Sequence, residues 1–532
     1  MQQSKMIHSL ILSLALAVTA CARGTQVISI TTTATATDIE ERQSSATTVQ
    51  SFTAVEGADL MAKLEAARTR ARSGTSFYWS AYAFDVRPGV AVDPAIHEFH
   101  GSMNTIGDTS VFIGTTASGV TVETRNLAVF LLREPSSNQI TRMEVYNLEH
   151  KREYSGYPVY WLGRANNEES LNYLRALSLA APLDMLSERA VLGIALHDDS
   201  RVASMLKNFV STSQNQRIRS SSIFWLGQIG GEQSFLADIV RNDTEDKKLR
   251  RQAAHAIGNS HDRGALTTLQ GLYDTVKDPE VRRSIIQAAG NNPEDQAAFT
   301  FLLAVAKSDP ERDSRRTAVR QLGQFKREDV VEELNKIYSN EVDLDVRRSA
   351  LSALAETKSP KAQARLLEIA RTDPNVELRR QAIRALAQRG DAVVEDLIKL
   401  FDSERAPEVR RTVLQSLSEI KTTRVEDKLF EVARSDETVE LRRQAIRLLG
   451  ERVGKRSMDF LTATAQSSDG NAEVQVQAVR AISERHSEES VPLLIKIART
   501  HPNQLVRKQA IRSLGESGDP RAVEFFREVL TK

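Results

Sequence analysis

A pair of adjacent arginines followed by a fixed apolar pattern recurs along the chain every 31 to 33 residues. The first arginine of the pair stands at positions 250, 282, 315, 347, 379, 410 and 442. In the copy that starts at Val346, the apolar residues Ala350, Ala353 and Leu354 follow at the spacing of one stripe on an α-helix. A fixed period in the low thirties indicates stacked repeats, in which each unit buries its stripe only against its neighbours.

Each repeat carries two helical segments, of which the arginine segment comes first. An aspartate and a proline often precede it, as in Asp309-Pro310 and Asp373-Pro374, because aspartate caps a helix and proline fits its first turn. A glycine often follows it, as at Gly323 and Gly450, where we expect a left-handed residue to end the helix. The second segment is less uniform but keeps two or three large apolar residues, as in residues 489–499.

The pattern Asp-Pro-x-Val-Arg-Arg-x-Ala-x-x-x-Leu-Gly resembles the HEAT-like repeats of the phycobilin-lyase type, and the resemblance covers residues 164–532. It implies a mainly α fold, a right-handed α-solenoid of about eleven two-helix repeats. It also implies that the first arginine of each pair reaches an acid before a neighbouring helix, which gives a structural ladder between repeats. The arginines of this ladder are Arg250, Arg282, Arg315, Arg347, Arg379, Arg410 and Arg442.

By the same resemblance, the second helices line the concave face. Candidate partner-binding residues there are Arg365, Glu368, Glu395, Lys399, Lys428 and Glu431. The second arginine of the pair often has another arginine four residues on, as in Arg380 and Arg384, which gives a basic ridge on the first helices. Acids such as Glu377 recur at the same period, so we interpret this ridge as a solvated face, with a phosphate or nucleic-acid surface as the alternative.

Two enzyme classes use related repeats. Deoxyhypusine hydroxylases carry paired His-Glu motifs that hold two irons, and no histidine of residues 164–532 precedes a glutamate. Phycobilin lyases handle linear tetrapyrroles, and nothing in the sequence marks a chromophore pocket, although a lyase-like activity stays open. We therefore predict no catalytic residues and no cofactor in the array.

The first twenty residues are typical of a secretion signal, with Lys5 ahead of an apolar stretch at 7–18 that is too short to span a membrane. The following Val18-Thr19-Ala20-Cys21 resembles the lipobox of bacterial lipoproteins, and Cys21 is the sole cysteine of the chain. This resemblance implies lipidation of Cys21 and an outer-membrane anchor facing the periplasm. Cleavage after Ala22, which would release a soluble periplasmic or secreted protein, is the alternative.

Residues 21–56 are rich in Thr, Ser and Ala and read as a flexible tether, with an edge strand near 27–33 as the alternative. Residues 57–163 predict a small antiparallel α+β domain with one helix at 58–72. Its strands are expected at 76–86, 111–115, 120–123, 127–133, 140–147 and 157–162. His97 and His100 flank Glu98-Phe99, which is not the zinc-protease spacing, so we expect no metal site there.

The charge of the chain is balanced, with 71 Lys+Arg against 70 Asp+Glu, so it has no global attraction for nucleic acid. The last repeat carries two apolar stripes, and Phe525 on one of them is a candidate contact with a partner or a second copy. We predict a non-enzymatic scaffold of the bacterial cell envelope that presents its array to an unknown partner protein. The alternative is an enzyme or sensor whose site lies in the small domain.

Overall fold

The computed structural model describes residues 52–92, 99–106, 109–116, 123–150, 152–180, 184–260, 262–467 and 470–531. The chain divides into two compact units, Met1–Ala288 and Ala289–Lys532, which are described separately. The predicted secretion signal, Cys21, most of the tether and His97 lie outside the described residues.

Eight strands form two sheets in the first unit. The strands are β1 Thr53–Ala54, β2 Tyr78–Ala83, β3 Val90–Val92, β4 Phe99–Ile106, β5 Thr109–Thr116, β6 Leu127–Arg133, β7 Ile140–Asn147 and β8 Val159–Arg164. The larger sheet has the order β1-β8-β2-β6-β7, and the smaller has the order β3-β5-β4. The strands predicted at 127–133 and 140–147 are confirmed, because β6 and β7 form an antiparallel hairpin with those bounds.

The larger sheet is mixed, which corrects the prediction of a wholly antiparallel one. Strand β8 returns to the sheet between β1 and β2 and runs parallel to both. Strand β5 pairs with β3 and β4, whereas the prediction paired it with a strand at 120–123, of which 120–122 lie outside the described residues. Residues 53–54, which the sequence assigned to the tether, form the edge strand β1.

Helix α1, Leu60–Ala71, begins at its cap Asp59, whose side chain accepts a hydrogen bond from the backbone of Ala62 at 2.7 Å. Leu64 and Ala67 of this helix are buried. The backbone amide of Leu60 donates to the carboxylate of Glu169 at 3.0 Å. The small domain is therefore tied directly to the first helix that follows the sheet.

That helix is α2, Asn167–Ala180, and eleven helix pairs follow it among the described residues, as the sequence predicted. The first helices of the pairs, called arginine helices below, are α3 Asp184–Ala195, α5 Gln216–Ile229, α7 Lys247–Asn259, α9 Pro279–Ala289, α11 Arg312–Leu322, α13 Leu344–Glu356, α15 Val376–Ala387, α17 Pro407–Ser418, α19 Val439–Gly450, α21 Ala472–Ser483 and α23 Gln504–Glu516. The second helices are α4 Arg201–Thr212, α6 Gln233–Arg241, α8 Ala265–Thr275, α10 Gln296–Ser308, α12 Asp329–Asn340, α14 Pro360–Thr372, α16 Val394–Ser403, α18 Thr423–Ser435, α20 Lys455–Gln466, α22 Ser487–Thr500 and α24 Pro520–Leu530.

The glycines after the arginine motif serve close packing, which corrects their interpretation as left-handed helix ends. Gly323 has a right-handed φ of −61°, and Gly450 is the last residue of α19. A Cβ atom on Gly323 would lie 2.8 Å from the Cβ of Ala353, and one on Gly450 would lie 2.8 Å from the Cβ of Ala481. Glycine is required at both positions because the next arginine helix passes directly against the backbone.

Within residues 289–532, the arginine helices contact one another along much of their length, whereas successive second helices touch at few points. The layer with the closer spacing is the inner layer of a curved stack. The arginine helices therefore line the concave face of this unit, which corrects the expectation that the second helices do so. The basic ridge of the sequence analysis lies on this inner face.

Candidate functional site

Four arginines of the predicted ladder pair with a carboxylate 25 or 26 residues further on. The pairs and their N–O distances are Arg315–Glu341 at 2.8 Å, Arg347–Asp373 at 2.5 Å, Arg379–Glu404 at 3.2 Å and Arg410–Asp436 at 2.6 Å. In each pair the arginine comes from one arginine helix, and the acid lies between the second helix of that repeat and the next arginine helix. Each pair therefore joins one repeat to the next.

The carboxylate of each pair also holds the backbone at the start of the next helix. Glu341 accepts the backbone amide of Asp343 at 2.9 Å, and Asp373 accepts that of Asn375 at 2.8 Å. Burial alone would raise the pKa of Glu341, but the hydrogen bonds from Arg315 and from the Asp343 amide outweigh it and lower the pKa. This geometry fixes the junction between successive repeats.

The other three ladder arginines differ in their contacts. Arg250 pairs with Asp243, seven residues earlier, at 2.7 Å. Arg282 donates to the carbonyl of Tyr273 at 3.1 Å and lies over its ring at 4.1 Å. The residues 26 and 27 positions after Arg442 lie outside the described part of the chain.

A groove of about 530 Å³ crosses the inner face of the second unit, over α15, α17, α19 and the start of α21. Its lining, here called the arginine groove, consists of Arg380, Arg384, Arg411, Thr412, Gln415, Ser416, Glu419, Glu440, Arg443, Gln444, Arg447 and Gln477. Five arginines and two glutamates leave this lining with a net charge of +3. The sequence showed the basic ridge, but it did not show that three arginine helices bring these side chains into one groove.

The arginines of the groove are neutralised to different degrees. Arg380 is 3.0 Å from Glu377 and also donates to the hydroxyl of Thr412 at 3.0 Å. Arg447 pairs with Glu451 on its own helix. Exposed Arg411, on the central helix of the groove, has no carboxylate within 4.0 Å among the described residues. The centre of the groove is therefore its least neutralised part.

The candidate binding residues of the second helices are largely paired with each other or with near neighbours. Arg365 lies 2.7 Å from Glu368 on the same helix. Lys428 is buried, and its ammonium lies 2.6 Å from both Asp402 and Glu431. The second helices therefore present compensated pairs rather than an excess of one charge.

Phe525 is not the exposed terminal contact that the sequence suggested. Its side chain is 5% exposed, its ring lies 5.4 Å from that of Phe526, and the guanidinium of Arg499 lies 5.6 Å from its centroid. It faces the preceding second helix because helices α22 and α24 pack together. The exposed apolar residues of α24 are instead Val523, Val529 and Leu530.

The first unit contains a serine–histidine contact that sequence spacing did not indicate. The Nε2 of His197 lies 2.8 Å from the hydroxyl of Ser170, which donates to the hydroxyl of Tyr82 at 3.2 Å. Burial lowers the pKa of His197 to about 4, and its ring stacks on Phe84 at 4.2 Å. All of these side chains are buried, so the contact packs the sheet against the first repeats and gives no access to a substrate.

Metal and membrane features were also sought in the described part of the chain. Its side chains contain no group of three or more His, Cys, Asp or Glu placed to hold a metal ion. The side chains of His97 and His100 lie outside it. None of the helices found there combines the length and the apolar character that a membrane crossing needs.

Comparison with known proteins identifies the repeats. The sequence matches the family described as HEAT repeats over residues 234–313, 299–375, 363–450 and 458–532. No curated protein matches the chain.

Solved structures with a similar fold share little sequence with the chain. Human deoxyhypusine hydroxylase is 14% identical over 54% of this chain and 96% of its own, with a TM-score of 0.22. Yeast importin-β is 11% identical over 69% of this chain and 56% of its own, with a TM-score of 0.33. A phycocyanin lyase complex of Nostoc sp. is 17% identical over 47% and 93%, with a TM-score of 0.23. Because the family match covers more than half of its residues, the chain belongs to the HEAT repeat proteins.

Proposed function

We propose that the protein is a non-enzymatic scaffold of the bacterial cell envelope that holds a partner protein on the inner face of its repeats. The observation that carries the proposal is the arginine groove, an open charged surface built by consecutive repeats. Guanidinium groups bind carboxylates through paired hydrogen bonds, so such a surface recognises a protein without doing chemistry on it.

The rigidity of the array supports this function. The ladder pairs and the close glycine–alanine contacts fix each repeat against the next, so the groove is formed before a partner arrives. A surface that is already ordered loses little conformational entropy on binding, and many weak contacts then add up to a useful affinity. Stiffness of the array is therefore the mechanism of the scaffold.

A photo-crosslinking experiment tests the proposal in living cells. A benzophenone amino acid replaces Gln415 in the groove, and a matched variant carries it at Glu368, an exposed residue of α14 on the outer layer. We expect irradiation to give one discrete protein adduct from position 415 and none from position 368. An adduct from position 368 alone, or none from either position, would contradict the proposal.

The envelope location rests on Cys21 and the apolar stretch before it. Several acyl chains on Cys21 would anchor the protein stably, whereas a single chain binds a membrane only marginally. Wild-type protein should take up labelled palmitate and sediment with outer membranes, whereas Cys21→Ala should do neither. Wild-type protein found only in the soluble fraction would instead support cleavage after Ala22.

A further inference from the structure

We infer that the ligand of the arginine groove is an acidic, extended segment of a protein, with carboxylates spaced along one side. This inference rests on the proposed function, since it names the chemistry of the partner that the scaffold holds. The net charge of the groove is +3, so a segment with a few carboxylates complements it.

The individual arginines show how such a segment would be held. Arg411 has no carboxylate within 4.0 Å among the described residues, so it offers a full positive charge at the centre. Arg384 is half exposed and lies 3.6 Å from Glu377, which it shares with Arg380, so its own contact is loose. An incoming carboxylate can therefore pair with both arginines without breaking a tight internal contact.

The spacing of the repeats favours an extended guest. Packed helices lie about 8–10 Å apart, so equivalent arginines of successive arginine helices recur at about that distance. A polyproline II segment rises about 3.1 Å per residue and has three residues per turn, so every third side chain recurs on one side after about 9 Å. A segment with an acid at every third position would thus meet one arginine helix after another.

The two glutamates of the lining argue against a uniform polyanion. Glu419 and Glu440 would repel the closely spaced phosphates of a nucleic acid, which carries a charge every few ångströms. A peptide can place neutral or basic residues opposite these glutamates and acids opposite the arginines. The mixed lining therefore fits a protein segment better than an oligonucleotide.

A binding experiment with the full chain tests the inference. The probe is a fluorescein-labelled (Glu-Pro-Ala)4 peptide, measured by fluorescence anisotropy, and (Lys-Pro-Ala)4 serves as the charge control. The groove variant combines Arg384→Gln, Arg411→Gln and Arg447→Gln. The matched control is Arg320→Gln, which removes an exposed arginine at the equivalent helix position of α11, outside the groove.

We expect the groove variant to weaken binding of the acidic probe by about tenfold, because exposed charge contacts contribute modestly and each tenfold change equals about 1.4 kcal/mol. Arg320→Gln should leave the affinity within about twofold, and added salt should weaken wild-type binding, since the contacts are exposed. Circular dichroism of the groove variant should match that of the wild type, because the ladder arginines are unchanged.

Three results would overturn the inference: equal affinity of the groove variant, binding of the lysine probe as tight as that of the acidic one, or tighter groove binding of a twelve-nucleotide DNA strand. These results are separable from the test of the scaffold itself. A protein adduct at position 415 without binding of the acidic probe leaves the scaffold standing and removes the acidic segment. Binding of the probe without any adduct removes the scaffold and keeps the groove.

Discussion

The ladder pair Arg347–Asp373 allows a direct test of what holds successive repeats together. Its N–O distance is 2.5 Å, and the two side chains are only 18% and 4% exposed. Asp373 also accepts hydrogen bonds from the hydroxyl of Tyr338 at 2.7 Å and from the backbone amide of Asn375 at 2.8 Å. Replacing Arg347 by Met removes the cation and leaves a carboxylate in a buried junction.

We expect Arg347→Met to lower the free energy of unfolding by about 2–3 kcal/mol, the range for a hydrogen bond to a charged group whose partner is left buried. The cost stays below that of a fully buried pair because Tyr338 and Asn375 still bind the carboxylate. The measurement is urea unfolding of the full chain followed by circular dichroism at 222 nm, with hydrogen exchange over 344–387 to localise the loss.

Arg348→Met is the matched control, since Arg348 neighbours Arg347 and pairs with Asp345 at 2.9 Å on the surface, where both side chains are more than one third exposed. An exposed pair of this kind contributes about 0–1 kcal/mol, so this variant should stay close to the wild type. Asp373→Asn should reduce the additional effect of Arg347→Met, because the uncompensated charge is gone. Equal losses for Arg347→Met and Arg348→Met would refute the assignment of the first arginine to the repeat junctions.

Three further predictions follow from other packing contacts. Gly450→Val should destabilise the second unit by about 1–3 kcal/mol because it overpacks the next arginine helix, whereas Gly271→Ala, with nothing within 4 Å, should stabilise its helix by about 0.5–1 kcal/mol; thermal melts compare them. The pKa of His197 is about 4 when folded, so the unfolded chain takes up a proton first as the pH falls below about 6.5; stability of the first unit is full above that pH and declines by roughly 3 kcal/mol towards pH 4. Tryptophan fluorescence follows this loss, since all three tryptophans lie in the first unit, and His197→Gln should flatten the dependence. If the exposed residues Val523 and Leu530 mediate self-association, light scattering should show an oligomer that the Val523→Glu and Leu530→Glu changes dissociate, and a monomer in every case would contradict it.

The sequence was sufficient for those parts of the fold that repeat a local rule. Each copy of the arginine motif places the same apolar stripe and the same capping residues, so the number and type of helices follow from the period. The hairpin of β6 and β7 was also predictable, because the turn residues Pro135 to Asn138 separate two apolar runs. Local chemistry decides these elements.

The features that the sequence analysis missed depend on contacts between distant segments. Strand β8 joins the sheet between β1 and β2, and nothing in residues 159–164 alone states that it runs parallel to both. Gly323 and Gly450 look like helix stop signals in one dimension, yet their function is the approach of a helix one repeat away. That approach also sets which layer is inner, so the mistaken role of the glycines and the mistaken concave face have the same cause.

The two arginines of each pair carry different physical roles, and this division explains why the groove could not be predicted from the motif. The first arginine points into the repeat junction, where its carboxylate lies 25 or 26 residues away and the geometry is nearly the same in four repeats. The second lies on the inner surface, where its partner changes with each repeat: Asp345 beside Arg348, Glu377 beside Arg380 and none within 4.0 Å of Arg411 among the described residues. Because the fold does not depend on the second position, its charge is free to serve recognition, and the groove lies where the neighbouring acids fail to cancel it.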